Sequence, residues 1–318
     1  MFKRKLGFSD LELTTVGFGA WAVGGGNWDW GWGVQDDRES IEAIHKALDL
    51  GINWIDTAPA YGLGHSEEMV GKAIKGKRDQ VILATKCSLV WEGRTDGKVD
   101  HRLKAWSVRK EAEDSLRRLG VDVIDLYQVH WPNPDEEIEE GWGEIARLIQ
   151  EGKIRYGGVS NFSVEQIERV QKIHPVASAQ PEYSMLARSP ENGLLDYCAQ
   201  HQIGVVAYSP MASGLLTGKY NRETLKDIHP EDWRLKYSQH FKPGNFIKNI
   251  ERVEQLRLIA ERFDRSIGEL AIAWVLRRKE LTSAIVGARR PSQIAQIAPA
   301  SDWVLPADVI EEIEQILR

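Results

Sequence analysis

Two stretches decide the fold: Val81-Ile82-Leu83-Ala84-Thr85-Lys86 and Val123-Ile124-Asp125-Leu126-Tyr127-Gln128-Val129-His130. Each is an apolar run of strand length that ends on a reactive side chain. Between them Val108, Ala112, Leu116 and Leu119 recur at helical spacing, and Gly120 stops the run. Strand, helix, strand is the unit from which parallel sheets are built. The same alternation extends in both directions. Asn53-Trp54-Ile55 leads into Asp56, and further strands are expected at 16–19, 154–159, 177–180, 205–208 and 284–286, which makes eight. Helices are expected where Ile41, Ile44 and Leu48 recur behind Asp36 and Asp37, and where Ser163-Val164-Glu165-Gln166 and Ser266-Ile267-Gly268-Glu269 form capping boxes. At this level the alternation predicts a parallel α/β sheet, and open and closed sheets read alike.

The strand ends carry the chemistry. Asp56, Lys86 and His130 each lie at or just past an apolar run, and Tyr61 follows in Asp56-Thr57-Ala58-Pro59-Ala60-Tyr61-Gly62. Parallel strands joined by helices bring their C-terminal ends to one rim. A carboxylate, a phenol, an ammonium and an imidazole then share one pocket. Such a set can give a proton to a carbonyl oxygen or take one from a hydroxyl. An ammonium at Lys86 is expected to pull the Tyr61 pKa down from its usual value near 10, and Asp56 to pair with Lys86.

Composition narrows the class. The chain has 318 residues, 42% hydrophobic and 28% charged, as in ordinary globular proteins. A net charge of −6 argues against a nucleic-acid surface. No apolar run approaches the roughly 18 residues of a membrane span, and the basic start Lys3-Arg4-Lys5 has no apolar segment behind it to make a signal peptide. Cys87 and Cys198 form no disulfide framework, so a cytoplasmic location with reduced thiols is expected. The 8 histidines show no metal-ligand spacing, so no metal is expected. Gly24-Gly25-Gly26 lacks the spacing of a dinucleotide fingerprint. The Trp28-Asp29-Trp30-Gly31-Trp32 segment beside it, with Trp21, Trp91 and Trp131, predicts an aromatic wall on the rim. Nothing in the sequence fixes an oligomeric state.

Asp56-Thr57-Ala58, Tyr61-Gly62, Ser66-Glu67-Glu68, Lys86, His130, Gly158-Val159-Ser160-Asn161-Phe162 and Gln180, in this order, resemble the aldo-keto reductases. The likeness is closest to the bacterial and potassium-channel-β-like branch. It implies one domain over residues 1–318: a (β/α)8 TIM barrel with an N-terminal β-hairpin around Gly7-Phe8-Ser9-Asp10 and an extra C-terminal helix from Pro306. It implies NADPH-dependent reduction of an aldehyde, ketone or sugar-derived carbonyl, with Tyr61 as general acid and Asp56, Lys86 and His130 as its partners. Trp21, Trp30, Trp91 and Trp131 would meet the substrate.

The resemblance also implies the cofactor contacts. Trp21, Asp56, Ser160, Asn161, Gln180 and Tyr208 would surround the nicotinamide. Ser209, Pro210, Met211, Gly214, Leu215, Gly218 and Lys219 would wrap the pyrophosphate, with a covering lid in the long polar connection from Gly218 to about Ile250. Gly287, Arg289, Gln293 and Gln296 would hold the adenosine end. A guanidinium at Arg289 suits a 2′-phosphate. Gln296 and Ile297 stand where the family commonly has a Glu-Asn pair. The alternative that the resemblance carries is an NADPH-binding regulatory or sensor subunit.

Overall fold

Alternation within each strand sorts side chains into two sets, one toward the barrel axis and one toward the helices. In the computed structural model, which describes every residue except Asn27, Gly93, Thr95, Pro230 and Glu231, eight parallel strands carry this pattern. They are β1 Val16–Gly19, β2 Trp54–Asp56, β3 Ile82–Cys87, β4 Ile124–Val129, β5 Ile154–Ser160, β6 Ser178–Gln180, β7 Gly204–Ala207 and β8 Leu281–Gly287. They pair in chain order, and β8 returns to β1 from Ala284↔Val16 to Gly287↔Gly19, closing the barrel.

Helices α1 Asp37–Asp49, α2 His65–Ile74, α3 Ala105–Leu119, α4 Ile138–Gln150, α5 Val164–Gln171 and α6 Leu194–Gln200 follow the first six strands. Helices α7 Trp233–Tyr237, α8 Pro243–Glu261 and α9 Ile267–Leu276 lie between β7 and β8, and α10 Pro291–Ile297 and α11 Ala307–Leu317 complete the chain. Both capping boxes form, at Ser163 and at Ser266, and Gly120 ends α3 in the left-handed conformation. The expected polar connection to about Ile250 is shorter than the sequence suggested. Pro243 opens α8, and Phe246, Ile250, Val253 and Leu256 bury one face of it. Intervening Lys and Glu residues mask that stripe in the sequence.

Inside the barrel the floor is apolar and the top is polar. The hairpin Lys3–Lys5 with Glu12–Thr14 puts Leu6, Leu11 and Leu13 against Trp54, Ala84, Leu126, Val206 and Ile285. Each of these leucines contributes about 1.5–3 kcal/mol by leaving water. Two residues on in the same inward rows, Asp56, Lys86 and Gln128 follow Trp54, Ala84 and Leu126. Cys87 and Tyr127 face the opposite way, into the main core between barrel and helices. Among the described residues no helix is long and apolar enough to cross a membrane.

One buried acid ties this core to the rim. Glu111 on α3 accepts from the Ser88 backbone N–H at 2.9 Å and from Ser107 Oγ at 3.0 Å. Ser88 Oγ in turn accepts from the Trp131 backbone N–H at 3.1 Å. Burial pushes the Glu111 carboxyl up to about 8, with the Ser107 and Ser88 hydrogen bonds opposing it. A raised carboxyl pKa binds its proton in the folded state where the unfolded chain has released it. Stability therefore falls as pH rises from the ordinary carboxyl range to about 8. Glu111→Gln should flatten that decline, read as denaturant midpoints across pH; an unchanged slope would place the titration elsewhere.

Candidate active site

The inward parity of β2, β3, β4 and β6 brings four polar side chains to one level. Asp56, Lys86, Gln128 and Gln180 are all buried, with Lys86 and Gln128 at 0% exposure. Lys86 Nζ donates to Asp56 Oδ1 at 2.5 Å, to the Thr57 carbonyl at 2.9 Å and to Tyr61 Oη at 3.3 Å. An ammonium has three donors, so all three are used. Asp56 Oδ2 accepts from Gln180 Nε2 at 2.9 Å and from Gln128 Nε2 at 3.2 Å. Burial pulls Lys86 below the ordinary lysine range, while Asp56 and Glu67 oppose it.

The Tyr61 loop is clamped locally. The Asp56 carbonyl accepts from the Ala20 backbone N–H at 2.8 Å, and Ser66 Oγ donates to the Ala20 carbonyl at 2.8 Å. Gly62 has φ +66°, and a Cβ there would lie 2.1 Å from the Gly24 carbonyl oxygen. Only glycine lets the turn after Tyr61 press so closely on the loop after β1. The Tyr61 ring meets the His130 ring edge-on at 5.7 Å. Burial, and then Asp56, push the Tyr61 phenol well above its ordinary pKa. The expected fall does not occur here, because desolvation of the phenolate and repulsion by Asp56 outweigh Lys86. Burial, then Lys86 and His101, hold the His130 imidazole well below its ordinary value. Its Nδ1 is enclosed with no hydrogen-bond partner among the described residues. The site thus holds a protonated phenol beside an ammonium and a neutral imidazole.

Aromatic rings roof this set. Trp21 stacks on Tyr61 at 6.2 Å, meets Trp233 at a tilt at 4.8 Å, and donates its indole N–H to the Trp30 carbonyl at 3.1 Å. Trp30 stacks on Tyr237 at 4.3 Å. Trp28, 5.9 Å from the Tyr61 ring, was not among the tryptophans expected to meet substrate. The indole nitrogens of Trp28, Trp32 and Trp233 are enclosed without partners among the described residues. Trp91 instead lies under the Arg118 guanidinium at 5.7 Å, and Trp131 stands 41% exposed on the rim.

After β7 the chain runs through a series of left-handed turns. Ser209, Ala212, Ser213, Gly214 and Gly218 all adopt positive φ, and Ala212 and Gly214 donate their backbone N–H groups to the Ser209 and Met211 carbonyls at 2.9 and 3.0 Å. Pro210 and Leu215 are buried beneath them, and Met211 is partly buried. Partial burial, and then Arg234 and Arg289 nearby, depress the Lys219 ammonium, with Asp232 opposing. Asn161 donates to the His130 carbonyl at 3.0 Å and accepts from Tyr208 Oη at 2.9 Å, and Ser160 Oγ donates to the Gln180 carbonyl at 2.8 Å.

At the far end Arg289 is already engaged. Its Nε donates to Gln35 Oε1 at 2.6 Å, and its other nitrogens reach the carbonyls of Trp32 and Val34. Gln293 Oε1 accepts from the Arg289 backbone at 2.7 Å. The exposed end of β8 at Gly287 leads into this segment. Gln296 is exposed, whereas Ile297 turns into the core, so the departure from a Glu-Asn pair is partly a packing choice.

The sequence profile of the Aldo/keto reductase family matches residues 15–318. The chain belongs to the aldo/keto reductase family. Among the relatives of this aldo/keto reductase, an "Aldo-keto reductase YhdN" from Bacillus subtilis (strain 168) is 41% identical over 311 residues, 97% of this chain and 91% of that one. A "NADH-specific methylglyoxal reductase" from Escherichia coli (strain K12) is 37% identical over 99% of this chain and 100% of its own. Among solved structures, the glycerol dehydrogenase AKR11B4 from Gluconobacter oxydans superposes with a TM-score of 0.90 at 39% identity, covering 99% of this chain and 94% of that one.

Removing Lys86 strands Asp56 as a buried unpaired charge. Lys86→Met is expected to cost about 3–5 kcal/mol of folding stability, measured by chemical denaturation. A loss under about 1 kcal/mol would mean that the pair behaves as a surface ion pair.

Proposed function

We propose that this aldo/keto reductase reduces small aldehydes and ketones to alcohols with NADPH, and that Tyr61 is the proton donor. The observation that carries the reading is the buried Lys86 ammonium, held between Asp56 and Tyr61. The residues fit a nicotinamide dinucleotide. The left-handed turns of 209–218, with Lys219 and Arg234, suit a pyrophosphate; Ser160, Asn161 and Gln180 suit a carboxamide, with Tyr208 beside them. Arg289 and Arg290 suit a 2′-phosphate, which offers anionic acceptors in place of the neutral carbonyls that Arg289 now holds. When bound, the nicotinamide supplies the hydride that goes to the carbonyl carbon.

The chain's own groups handle the proton and the orientation. Tyr61 stays protonated because its phenolate is disfavoured, so it is a donor and not a base in the ground state. As the carbonyl oxygen gains negative charge, the Tyr61 O–H bond breaks toward it. Lys86, already 3.3 Å from that oxygen, stabilises the phenolate left behind. Asp56 keeps Lys86 charged and aimed. His130, neutral, donates to the substrate oxygen and sets its direction. Trp21, Trp28 and Trp233 exclude water. The methylglyoxal reductase and the glycerol dehydrogenase among the relatives are named for small oxygen-bearing compounds.

Two experiments test this. Tyr61→Phe should lower kcat by at least about 10²-fold while cofactor still quenches tryptophan fluorescence; retained turnover would remove Tyr61 from the role. Arg289→Ala should cut the NADPH-to-NADH ratio of kcat/KM by about tenfold or more. An unmoved ratio would sink the NADPH preference and leave NADH as the partner.

A further inference from the structure

Gln128 has no part in the chemistry above, yet it is fully buried beside it. It occupies the inward position of β4 opposite Lys86 on one side and Gly158 on the other. Gly158 is hemmed in from both sides. A Cβ there would lie 2.2 Å from Ser178 Oγ and 3.0 Å from Gln128 Cγ. Ser178 on β6 sets the tighter limit, with the Gln128 side chain next.

The hydrogen bonds of that amide have a fixed polarity. Asp56 Oδ2 can only accept, so the group of Gln128 facing it at 3.2 Å is the NH2. The Gln128 oxygen is then turned to Gln180, whose Nε2 donates to it at 3.2 Å. Gln180 Nε2 also donates to Asp56 Oδ2 at 2.9 Å. A primary amide carries two N–H donors, so both donors of Gln180 are spent inside the protein. Its Oε1 accepts no hydrogen bond among the described residues, and it is not among the enclosed, unpartnered atoms. It is the one polar atom that Gln180 has left to offer. A flipped Gln180 would set lone pairs against both Asp56 and the Gln128 oxygen.

We propose that Gln128 is a positioning residue that, together with Asp56, locks the Gln180 amide oxygen-outward, so that Gln180 recognises its ligand only as a hydrogen-bond acceptor. The inference rests on the nicotinamide reading above, because it assigns the carboxamide NH2 as the group that Gln180 accepts. Gln128 also supplies the second amide donor to Asp56, so cofactor recognition and the charge state of the Lys86 pair share one network. With Gln128 removed, only the 2.9 Å bond to Asp56 Oδ2 still opposes a rotated Gln180 that presents its NH2 instead.

The test is equilibrium binding, read by tryptophan quenching, of NADP+ and of its 3-acetylpyridine analogue, which has a methyl group where the carboxamide has NH2. The wild-type protein should bind NADP+ about tenfold more tightly than the analogue, the usual effect of leaving one buried acceptor unpaired. In Gln128→Leu that preference should shrink, because one of the two contacts that fix the Gln180 polarity is lost and the rotated amide, which donates to either carbonyl, becomes populated. Gln128→Glu should keep it at neutral pH. In either protonation state its carboxyl leaves an oxygen that accepts from Gln180 Nε2, which reproduces the native pattern on that side. A merely structural Gln128 would weaken both ligands equally. Full preference in Gln128→Leu, none in the wild type, or its loss in Gln128→Glu would each overturn the assignment. Absence of any NADP+ or NAD+ binding by the wild-type protein would instead overturn the cofactor reading beneath it.

Discussion

Burying an ammonium is the constraint around which the site is organised. Desolvation of a charge costs several kcal/mol, and one opposite charge seldom repays it without further hydrogen bonds. The protein meets the requirement completely. Lys86 spends its three donors on Asp56, Thr57 and Tyr61, and Asp56 takes two more donors from Gln128 and Gln180. Four strands must be in register for this, and the register follows from the closed barrel. The apolar layer of Trp54, Ala84, Leu126 and Val206 just below keeps water from the pair on its lower side. The setting of the Tyr61 phenol is thereby a property of the barrel interior as much as of the loop that carries it.

The upper side is closed by rings. Trp21 covers Tyr61, and Trp233 from the segment after β7 covers Trp21. Arg234 beside it pairs with Asp232 at 2.6 Å and lies 4.9 Å over the Trp32 ring. Arg289 holds the carbonyls of the same loop from the opposite edge. The loop after β1 is therefore gripped by two cations that also stand near Lys219.

Much of this was legible from the residues. Strand ends mark barrel sites, so Asp56, Lys86 and His130 were found from apolar runs that stop on a reactive group. Capping boxes at Ser163 and Ser266 were readable because their hydrogen bonds are local. Closure of the sheet was legible only through the family motifs, since β8 pairing with β1 leaves no local trace. Gln128 was missed although it lay in a quoted strand: a polar residue at the inward parity of Leu126 was the signal. Trp28 and Trp233 depend on how two loops dock, and Arg289 on a partner 254 positions away, Gln35. The direction of the Tyr61 shift was misjudged because it depends on burial depth, which spacing does not encode.

The central claim is that the buried pair arms Tyr61 to protonate a carbonyl. It is tested most directly by titrating the purified protein with NADPH, following tryptophan fluorescence. Small hydroxyaldehydes and ketoaldehydes are then added while cofactor absorbance is recorded. Saturable quenching followed by stoichiometric oxidation of NADPH with at least one of these carbonyls is the predicted result. Saturable quenching with no cofactor oxidation on any of them would contradict it, and would make this barrel a cofactor-binding protein whose phenol and ammonium deliver no proton.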